Sequence, residues 1–246
     1  MSYSALLKLL RKKDVKVNGK RISKDVVLAV GDVVELYYTP LKQQNYTLVY
    51  VDDNVIVVNK KKGFLSESVF ESVKEEFPSA RFIHRLDRNT DGVMIFANTS
   101  ESEKELLRGF KERLFDKRYH ARVVGVPDKK EAILNAYLLK DKESATVKVS
   151  KTPLKGSVRI KTGYKVLESD GKTSLLDVVL YTGKTHQIRA HLAFIGHPIV
   201  GDGKYGDFEF NQKSGQKSQM LTAYSLTLNF DKNSPLNYLS GKTFSI

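Results

Sequence analysis

The sequence predicts an α+β protein whose main domain carries a mixed, largely antiparallel sheet flanked by helices. Many short runs rich in β-branched residues alternate with turn residues, and only a few helical segments lie among them. Hydrophobic residues make up 41% of the 246 positions, with twelve Tyr and twelve Phe, so the chain can bury a sizeable core. We predict two domains, a small one over residues 1–40 and a catalytic one over residues 46–246.

The charge balance favours a polyanionic partner. Lys and Arg number 41 against 28 Asp and Glu, and a net charge of +13 on a globular chain is typical of nucleic-acid binding. The absence of cysteine excludes disulfides, thiolate metal sites and a cysteine nucleophile. No apolar stretch approaches the ~18 residues needed to span a membrane, and no signal-peptide core is present. We therefore expect a cytoplasmic monomer with no membrane partner.

The first 40 residues predict a small basic module. Residues 4–13 place Leu6, Leu7 and Leu10 on one stripe of a short helix. The dipeptide Asn18-Gly19 predicts a tight turn between strand-like residues 15–17 and 21–22. After the turn at Gly31, residues 33–38 predict a third strand, and residues 40–45 form a polar linker.

This module resembles the αL-type RNA-binding domain, first described in a small-subunit ribosomal protein. The resemblance lies in the helix end at residues 9–12, the hairpin at 15–20 and the strand start at 31–34. That family has a further helix before this point, so we expect the module to be truncated. A merely solvated basic face is the alternative. The resemblance implies RNA contacts by basic side chains, which are Lys8, Arg11, Lys12, Lys13, Lys16, Lys20 and Arg21.

The second domain begins with a predicted hairpin of residues 48–51 and 55–58, joined by Asp52-Asp53-Asn54. Helices are predicted over residues 66–76 and 100–114, and residues 186–195 are apolar at helical spacing. The remaining predicted strands are residues 93–97, 119–124, 145–149, 158–166, 174–181 and 221–230.

Asp87 stands between two arginines in residues 84–92, HRLDRNTDG. If this stretch is extended, Arg85 and Asp87 share one face while Leu86 points into the protein. A positive charge nearby stabilises the ionised form of a carboxylate. A surface salt bridge worth about 0–1 kcal/mol is the structural alternative.

Residues 183–192, GKTHQIRAHL, start with a glycine after a predicted strand and run into a helix. Such a junction directs backbone N–H groups outward, where a phosphate can bind. Arg189 falls about one turn inside the helix and can reach back across a cleft. We expect His186 and His191 to make ordinary hydrogen bonds in a packed helix, because their spacing is not that of a metalloprotease pair. We predict no metal site.

Two further stretches are a strand start at residues 117–125 with Tyr119 among basic residues, and a glycine-punctuated loop at 197–206. Together and in order, the four stretches resemble the RluA-type pseudouridine synthases over about residues 46 to 230. The family motif His-Arg-Leu-Asp-Arg-x-Thr-Ser-Gly fits residues 84–92 at every fixed position but one. Residues 117–125 resemble Lys-x-Tyr-x-Ala-x-Val-x-Gly. The other two stretches resemble Gly-Arg-Thr-His-Gln-Ile-Arg-x-His-Leu and His-Pro-Ile-x-Gly-Asp-x-x-Tyr-Gly.

The resemblance implies that Asp87 is the essential catalytic aspartate, Tyr119 stacks on the target base and Arg189 is the basic partner of the aspartate. Arg85 is implied to hold the target nucleotide out of its helix. The reaction breaks the N-glycosidic bond of a uridine and rejoins the uracil through carbon, with no metal or other cofactor. Asp87 either attacks the anomeric carbon or removes the 2′ proton, and both routes stay open. The substrate-binding residues we predict are Arg85, His84, Arg88, Lys184, Thr185, Gln187 and Ile188.

Four residues depart from the family pattern. Asp91 replaces a small hydroxyl residue and Lys184 replaces arginine, losing the bidentate fork. Lys61 replaces a proline and Thr222 a frequent histidine. We expect these departures to alter substrate choice rather than to remove a catalytic group.

The partner we predict is structured RNA, most often large-subunit ribosomal RNA in such enzymes, with transfer RNA as the alternative substrate. A non-catalytic RNA-binding protein on the same fold is a second alternative, which loss of Asp87, Tyr119 or Arg189 would have favoured. A glycoside hydrolase that uses Asp87 and Asp91 as an acid/base pair is disfavoured, because the flanking arginines oppose protonation of either carboxylate.

Overall fold

The computed structural model describes residues 3–37, 44–141 and 145–246. It divides the chain into two compact units, Met1–Gln44 and Asn45–Ile246. The boundary coincides with the polar stretch between the apolar runs on either side. No helix in the described ranges is long and apolar enough to cross a membrane.

The first unit contains helix α1 (Tyr3–Lys12) and strands β1 (Val15–Val17), β2 (Lys20–Ile22) and β3 (Val34–Leu36). The strands pair antiparallel in the order β2-β1-β3. Asn18 and Gly19 have φ angles of 49° and 77°, which a primed hairpin turn requires, so the predicted hairpin is confirmed. Leu9 and Leu10 of α1 and Val15 of β1 form the core of the first unit. The third strand is shorter than predicted, and Tyr38 lies outside the described residues.

In the second unit, one large sheet has the order β4-β5-β6-β12-β7-β11-β10-β8-β9, with β13 pairing with β12. All of these pairs are antiparallel except β6 with β12. The strands are β4 (Tyr46–Val51), β5 (Val55–Lys60), β6 (Asp91–Ala97), β7 (Asp116–Val124), β8 (Glu131–Lys140), β9 (Val147–Ser150), β10 (Val158–Ser169), β11 (Thr173–Leu180), β12 (Leu221–Thr227) and β13 (Thr243–Ser245). The helices are α2 (Ser66–Glu76), α3 (Ser100–Glu112), α4 (Gln187–Phe194) and α5 (Phe208–Ser214), with a 3-10 turn at Asn237–Leu239.

Strands β5 and β6 are buried on both faces. Val55 and Val57 pack with Leu106 of α3, whereas the alternate residues Ile56 and Val58 pack in a second cluster with α2. Because side chains alternate along a strand, a continuous apolar run of this kind needs cover on both sides. The mixed, largely antiparallel sheet that the sequence predicts is confirmed.

Helix α4 packs on the other half of the sheet. Its residues Ile188 and Leu192 join Ala121 of β7 and Val178 of β11 in one core cluster. This packing brings the amino end of α4 to the carboxyl end of β11, where the loop of residues 181–186 connects them.

Strand β8, helix α5 and strand β13 were not predicted. Strand β8 reads EAILNAYLLK, which is rich in helix-forming residues, and its side chains are mostly exposed or half-buried. Its strand conformation follows from pairing with β10 and β9 on either side. Tertiary pairing therefore overrides the local preference here.

Candidate active site

Asp87 lies in the loop of residues 84–90 that leads into β6. Leu86 beside it is buried, as predicted, and both its N–H and its carbonyl oxygen are hydrogen-bonded to Ser66 Oγ at 2.9 Å. After Asp87, the Thr90 N–H donates to the Asp87 carbonyl at 3.0 Å, and Gln219 Nε2 donates to Thr90 Oγ1 at 2.7 Å. The loop is thus anchored on both sides of the carboxylate.

Lys60, at the end of β5, lies beneath this loop with no exposed surface. Its ammonium group donates to the carbonyl oxygens of Arg88 at 3.1 Å, Thr90 at 2.8 Å and Lys61 at 3.2 Å. Burial lowers the pKa of Lys60 to about 8, although the negative charges of Asp91 and Asp87 act against this shift. A buried ammonium therefore ties down the backbone that carries Asp87.

Arg189 extends from the first turn of α4 to Asp87. Its Nη1 donates to Asp87 Oδ2 at 2.9 Å, while its Nε and Nη2 donate to the two oxygens of Asp202 at 2.6 and 2.8 Å. The ring of Tyr205 lies 5.2 Å from the guanidinium carbon. Burial opposes the charged guanidinium, but the contacts with Asp202 and Asp87 outweigh it and raise the pKa of Arg189. The planar guanidinium of Arg189 therefore donates hydrogen bonds to the carboxylates of Asp87 and Asp202 at the same time.

Asp202 supplies the buried side of this pair. Its side chain has no exposed surface, and its Oδ1 also accepts hydrogen bonds from the N–H groups of Lys204 at 2.8 Å and Tyr205 at 3.1 Å. Burial works against the charged form, yet the hydrogen bonds and charge of Arg189 lower the pKa of Asp202. The tight loop needs Gly206, since a Cβ there would lie 2.1 Å from the Asp202 carbonyl oxygen.

His186 is the residue before α4 and has a left-handed backbone, with φ of 52°. The Tyr205 hydroxyl accepts from the Val147 N–H and lies 2.9 Å from His186 Nδ1. The other ring nitrogen, Nε2, lies 3.9 Å from Asp87 Oδ2. Burial lowers the pKa of His186, so the ring is mostly neutral at pH 7. His186 therefore lies beside the carboxylate, outside the helix in which we expected it to pack.

Tyr119 lies in β7, where it is half-buried between the two core clusters that flank the cleft. Burial raises the pKa of its phenol, and the negative charge of Asp87 adds to the shift. The phenol consequently stays protonated at neutral pH.

Asp87, Tyr119, His186 and Arg189 line a cleft of about 540 Å³. It brings together loop 84–90, the start of β7 and the loop before α4. Residues predicted from the sequence that line it are His84, Arg85, Asp87, Tyr119, Lys184, Thr185, Gln187, Ile188 and Arg189.

The two arginines that flank Asp87 make other contacts. Arg85 is exposed and lies 3.3 Å from Glu67, so its ion pair is with α2 and not with Asp87. Arg88 is exposed as well, and its Nε donates to the Gly63 carbonyl oxygen at 2.9 Å.

The predicted residues at the start of α4 differ in exposure. Lys184 and Thr185 are exposed at the rim. Ile188 is buried in the core, and the buried amide of Gln187 bonds to Thr182 Oγ1 at 2.9 Å and to Thr162 Oγ1 at 3.0 Å. Gln187 thus holds the loop before α4 in place.

His84 begins the loop and serves as an acceptor. The Ile95 N–H donates to His84 Nε2 at 3.1 Å, and the imidazole stacks on Phe110 with ring centroids 4.5 Å apart. Burial and the positive charge of Lys117 lower the pKa of His84 to about 3. The imidazole is therefore neutral.

Two departures from the family pattern meet in space. Thr222 Oγ1 donates to Asp91 Oδ1 at 2.9 Å, and Lys62 Nζ lies 3.5 Å from the same oxygen. Neither Asp91 nor Thr222 lines the cleft. Sequence reasoning singled out both residues but gave no reason to place them together.

Sequence reasoning gave no role to Lys60, Asp202 or Tyr205, and placed His186 in a helix interior. Asp202 and Tyr205 are fixed positions of the fourth motif, which was the available signal for them. No group of three or more His, Asp or Glu that could hold a metal ion occurs among the described residues.

Comparisons with known proteins identify the family. The sequence model for RNA pseudouridylate synthase matches residues 54–194. The chain is 30% identical to ribosomal large subunit pseudouridine synthase C of Vibrio cholerae over 87% of this chain and 75% of the relative. It is 31% identical to the protein of the same name from Escherichia coli over 85% of this chain and 73% of the relative.

A solved structure agrees with this assignment. Human RNA pseudouridylate synthase domain containing 1 superposes with a TM-score of 0.69 at 26% identity, over 80% of this chain and 83% of that one. One family assignment follows from the sequence match and from the fold, and the aspartate–arginine pair in the cleft is consistent with it. The chain belongs to the RNA pseudouridylate synthase family, whose enzymes isomerise uridine to pseudouridine in RNA.

Proposed function

We propose that this enzyme isomerises uridine in large-subunit ribosomal RNA, with Asp87 as the catalytic carboxylate. The observation that carries the proposal is the Asp87–Arg189 ion pair inside the cleft. The relatives named above are large-subunit enzymes, which favours ribosomal over transfer RNA. Such a substrate would place the enzyme in the cytoplasm.

The carboxylate of Asp87 has one anchored oxygen and one free oxygen. Oδ2 accepts from Arg189, whereas Oδ1 accepts no hydrogen bond from the described residues, and the side chain is 24% exposed. An ionised oxygen could attack the anomeric carbon or remove the 2′ proton, and both routes need the unprotonated form. Arg189 Nη1 holds Oδ2 at 2.9 Å and leaves Oδ1 turned to the substrate side.

Tyr119 would act on the base by stacking. Because the pKa of its phenol is raised, Tyr119 enters the reaction as a neutral hydrogen-bond donor and not as a base. An aromatic platform of this kind contributes about 1–3 kcal/mol per stacked base. A paired uridine must leave its helix first, at a cost of a few kcal/mol, which stacking offsets.

The rim would hold the RNA backbone. Arg85, Arg88, Lys184 and Thr185 are exposed next to or within the cleft lining. The three cations and the threonine hydroxyl can contact phosphates on either side of the flipped nucleotide. His84, Gln187 and Ile188 make internal contacts, so we assign them the positioning of the cleft walls.

The first unit would add a second RNA contact. Arg11, Lys12, Lys13, Lys20 and Arg21 are exposed, as an RNA-binding face of the αL type would require. The ammonium of Lys16 instead donates to Tyr37 at 2.7 Å. The side chain of Lys8 lies outside the described residues.

The experiment is tritium release from RNA labelled at the uracil ring carbon that forms the new bond. Wild-type enzyme is incubated with large-subunit ribosomal RNA, small-subunit ribosomal RNA and transfer RNA, beside Asp87→Asn as the matched control. We expect release from large-subunit RNA alone and none with Asp87→Asn, which keeps RNA binding. Release from transfer RNA would reassign the substrate. Equal release by Asp87→Asn would remove Asp87 from the mechanism, and no release from any RNA would favour a non-catalytic RNA-binding protein.

A further inference from the structure

The large sheet consists of two halves that meet where β6 runs parallel to β12. Two register pairs join them, Asp91 with Thr222 and Gly92 with Ala223. The strands approach so closely that a Cβ on Gly92, at φ of +125°, would lie 2.2 Å from the Ala223 carbonyl oxygen. We call this junction the seam.

The seam separates the functional residues into two groups. Asp87 lies in the loop that runs directly into β6, on one side. Tyr119 in β7 and Arg189 in α4 belong to the other side, because β7 pairs with β12 and α4 packs on β7 and β11. The position of the carboxylate relative to its two partners therefore depends on how β6 and β12 are held together.

Besides the bond from Arg189 to Asp87 in the cleft, side chains of the described residues make three further hydrogen bonds across the seam. Gln219 Nε2 donates to Thr90 Oγ1 at 2.7 Å, and Thr222 Oγ1 donates to Asp91 Oδ1 at 2.9 Å. Lys62 Nζ donates to the Gln219 carbonyl oxygen at 3.0 Å and lies 3.5 Å from Asp91 Oδ1. These contacts tie the end of the Asp87 loop to β12, which pairs with β7, and to Gln219 just before β12.

Three of these residues do not touch the cleft. Lys62, Asp91 and Thr222 are absent from its lining, so they act on the reaction indirectly, through the residues that they hold or through their charges. Asp91 and Thr222 also depart together from the serine and histidine of the family pattern. A hydroxyl donor facing a carboxylate acceptor is complementary, whereas either residue alone would lose its partner in this seam.

We propose that Lys62, Asp91 and Thr222 act as one positioning unit that sets the distance between Asp87 and the Tyr119–Arg189 pair. The inference rests on the proposed function, because its readout is the rate of uridine isomerisation. Misplacement of a reacting group lowers the rate of the chemical step more than it weakens binding. Loss of the unit should therefore lower kcat and leave KM for the RNA unchanged.

The test is a double-mutant cycle with Thr222→Val and Asp91→Ala. Each single variant should lower kcat about 10-fold, and the double variant should also lose about 10-fold rather than about 100-fold, because both remove the same contact. Thr222→Ser keeps the hydroxyl and should restore kcat. The matched control is Thr227→Val, since Thr227 in the same strand bonds to Thr243 at 2.8 Å outside the seam.

Lys62→Met provides a variant with less risk to folding than the substitutions in the cycle, because the Lys62 side chain is 32% exposed and its apolar stem is kept. It should lower kcat without changing KM or the unfolding temperature. Multiplicative losses in the cycle, an equal loss in Thr227→Val, or unchanged kcat in Lys62→Met would each overturn the proposal. If the wild-type enzyme releases no tritium, the proposed function fails first, and the positioning role fails with it.

Discussion

Arg189 Nη1 lies 2.9 Å from Asp87 Oδ2, and this bond joins two residues 102 positions apart. The same guanidinium donates twice to Asp202, which has no exposed surface. The buried carboxylate of Asp202 thus fixes the guanidinium of Arg189, and the guanidinium in turn fixes the carboxylate of Asp87. A lysine could not make these contacts together, since its ammonium is a point charge without a planar fork.

Asp202→Asn should release Arg189 from its position. Removing one partner of a buried ion pair destabilises a protein by roughly 3–5 kcal/mol when the remaining charge is left unpaired, and we expect a smaller loss here because Arg189 keeps Asp87 as a partner. We expect a lower free energy of unfolding in urea and a kcat reduced by about 100-fold. Asp207→Asn is the control, because Asp207 caps exposed helix α5 and asparagine caps equally well. Wild-type unfolding of Asp202→Asn would contradict the role we give to Asp202.

Tyr119→Phe should separate stacking from the hydroxyl. The phenyl ring keeps the platform, so RNA affinity should stay unchanged while kcat falls on the order of 100-fold, the range for loss of one positioned hydrogen-bond donor. Tyr119→Leu should weaken RNA binding as well. Tyr164→Phe, in the same core cluster but outside the cleft lining, should leave kcat unchanged. Full activity of Tyr119→Phe would limit this residue to stacking.

Activity should fall as the pH rises through about 8, the pKa to which burial brings Lys60. The neutral amine has two N–H donors instead of three, so one of its three carbonyl contacts is lost and the Asp87 loop loosens. The measurement is kcat against pH at saturating RNA.

Two charge substitutions near Lys60 should shift this alkaline fall of kcat in opposite directions along the pH axis. Asp91→Asn removes a negative charge that raises the pKa of Lys60, so the limb should move to lower pH. Lys62→Met removes a positive charge that lowers it, so the limb should move to higher pH. Titration of the RNA affects the wild type, Asp91→Asn and Lys62→Met equally, so it cannot produce a difference between them. Shifts in the same direction in both variants would exclude Lys60 as the titrating group.

Stability should fall in mild acid because of His191. Burial lowers its pKa from 6.5 to about 4, so the unfolded chain binds more protons between these values and unfolding becomes easier as the pH falls. We expect this residue to account for roughly 2 kcal/mol of lost unfolding free energy between pH 7 and pH 5. His191→Gln can keep the bond to Thr162 and should lose that much less on acidification. An unchanged pH dependence would contradict this.

The first unit should contribute to the salt dependence of RNA affinity, because its exposed lysines can contact phosphates. Lys12 and Lys13 are exposed, and each phosphate contact that they make contributes about 0.7–0.9 to the slope of log affinity against log salt. The double variant Lys12→Gln/Lys13→Gln should flatten that slope, with kcat at saturating RNA unchanged. The control replaces two exposed lysines of the second unit, Lys213 and Lys217. Equal flattening by the control would assign the effect to net charge alone.

Much of the fold could be predicted because its signals are local. Helix α2 matches its predicted bounds, and the hairpin of β4 and β5 follows from two β-branched runs around Asp52-Asp53-Asn54. Strand β8 could not be predicted, because its residues favour a helix and its strand form depends on neighbours distant in sequence. Helix α3 ends before Leu114, since Arg113 takes a left-handed conformation that the sequence pattern does not require.

The sequence by itself determined which chemical groups the protein can use. It placed Asp87, Tyr119 and Arg189 in separate motifs, and it marked Asp91 and Thr222 as unusual. The family resemblance implied that Arg189 is the basic partner of Asp87, whereas only the tertiary structure showed that Thr222 meets Asp91. Coulombic forces and hydrogen bonds act over a few ångströms of space, whatever the separation along the chain. For that reason Arg85, two residues from Asp87, pairs with Glu67, whereas the partner of Asp87 comes from a helix on the other half of the sheet.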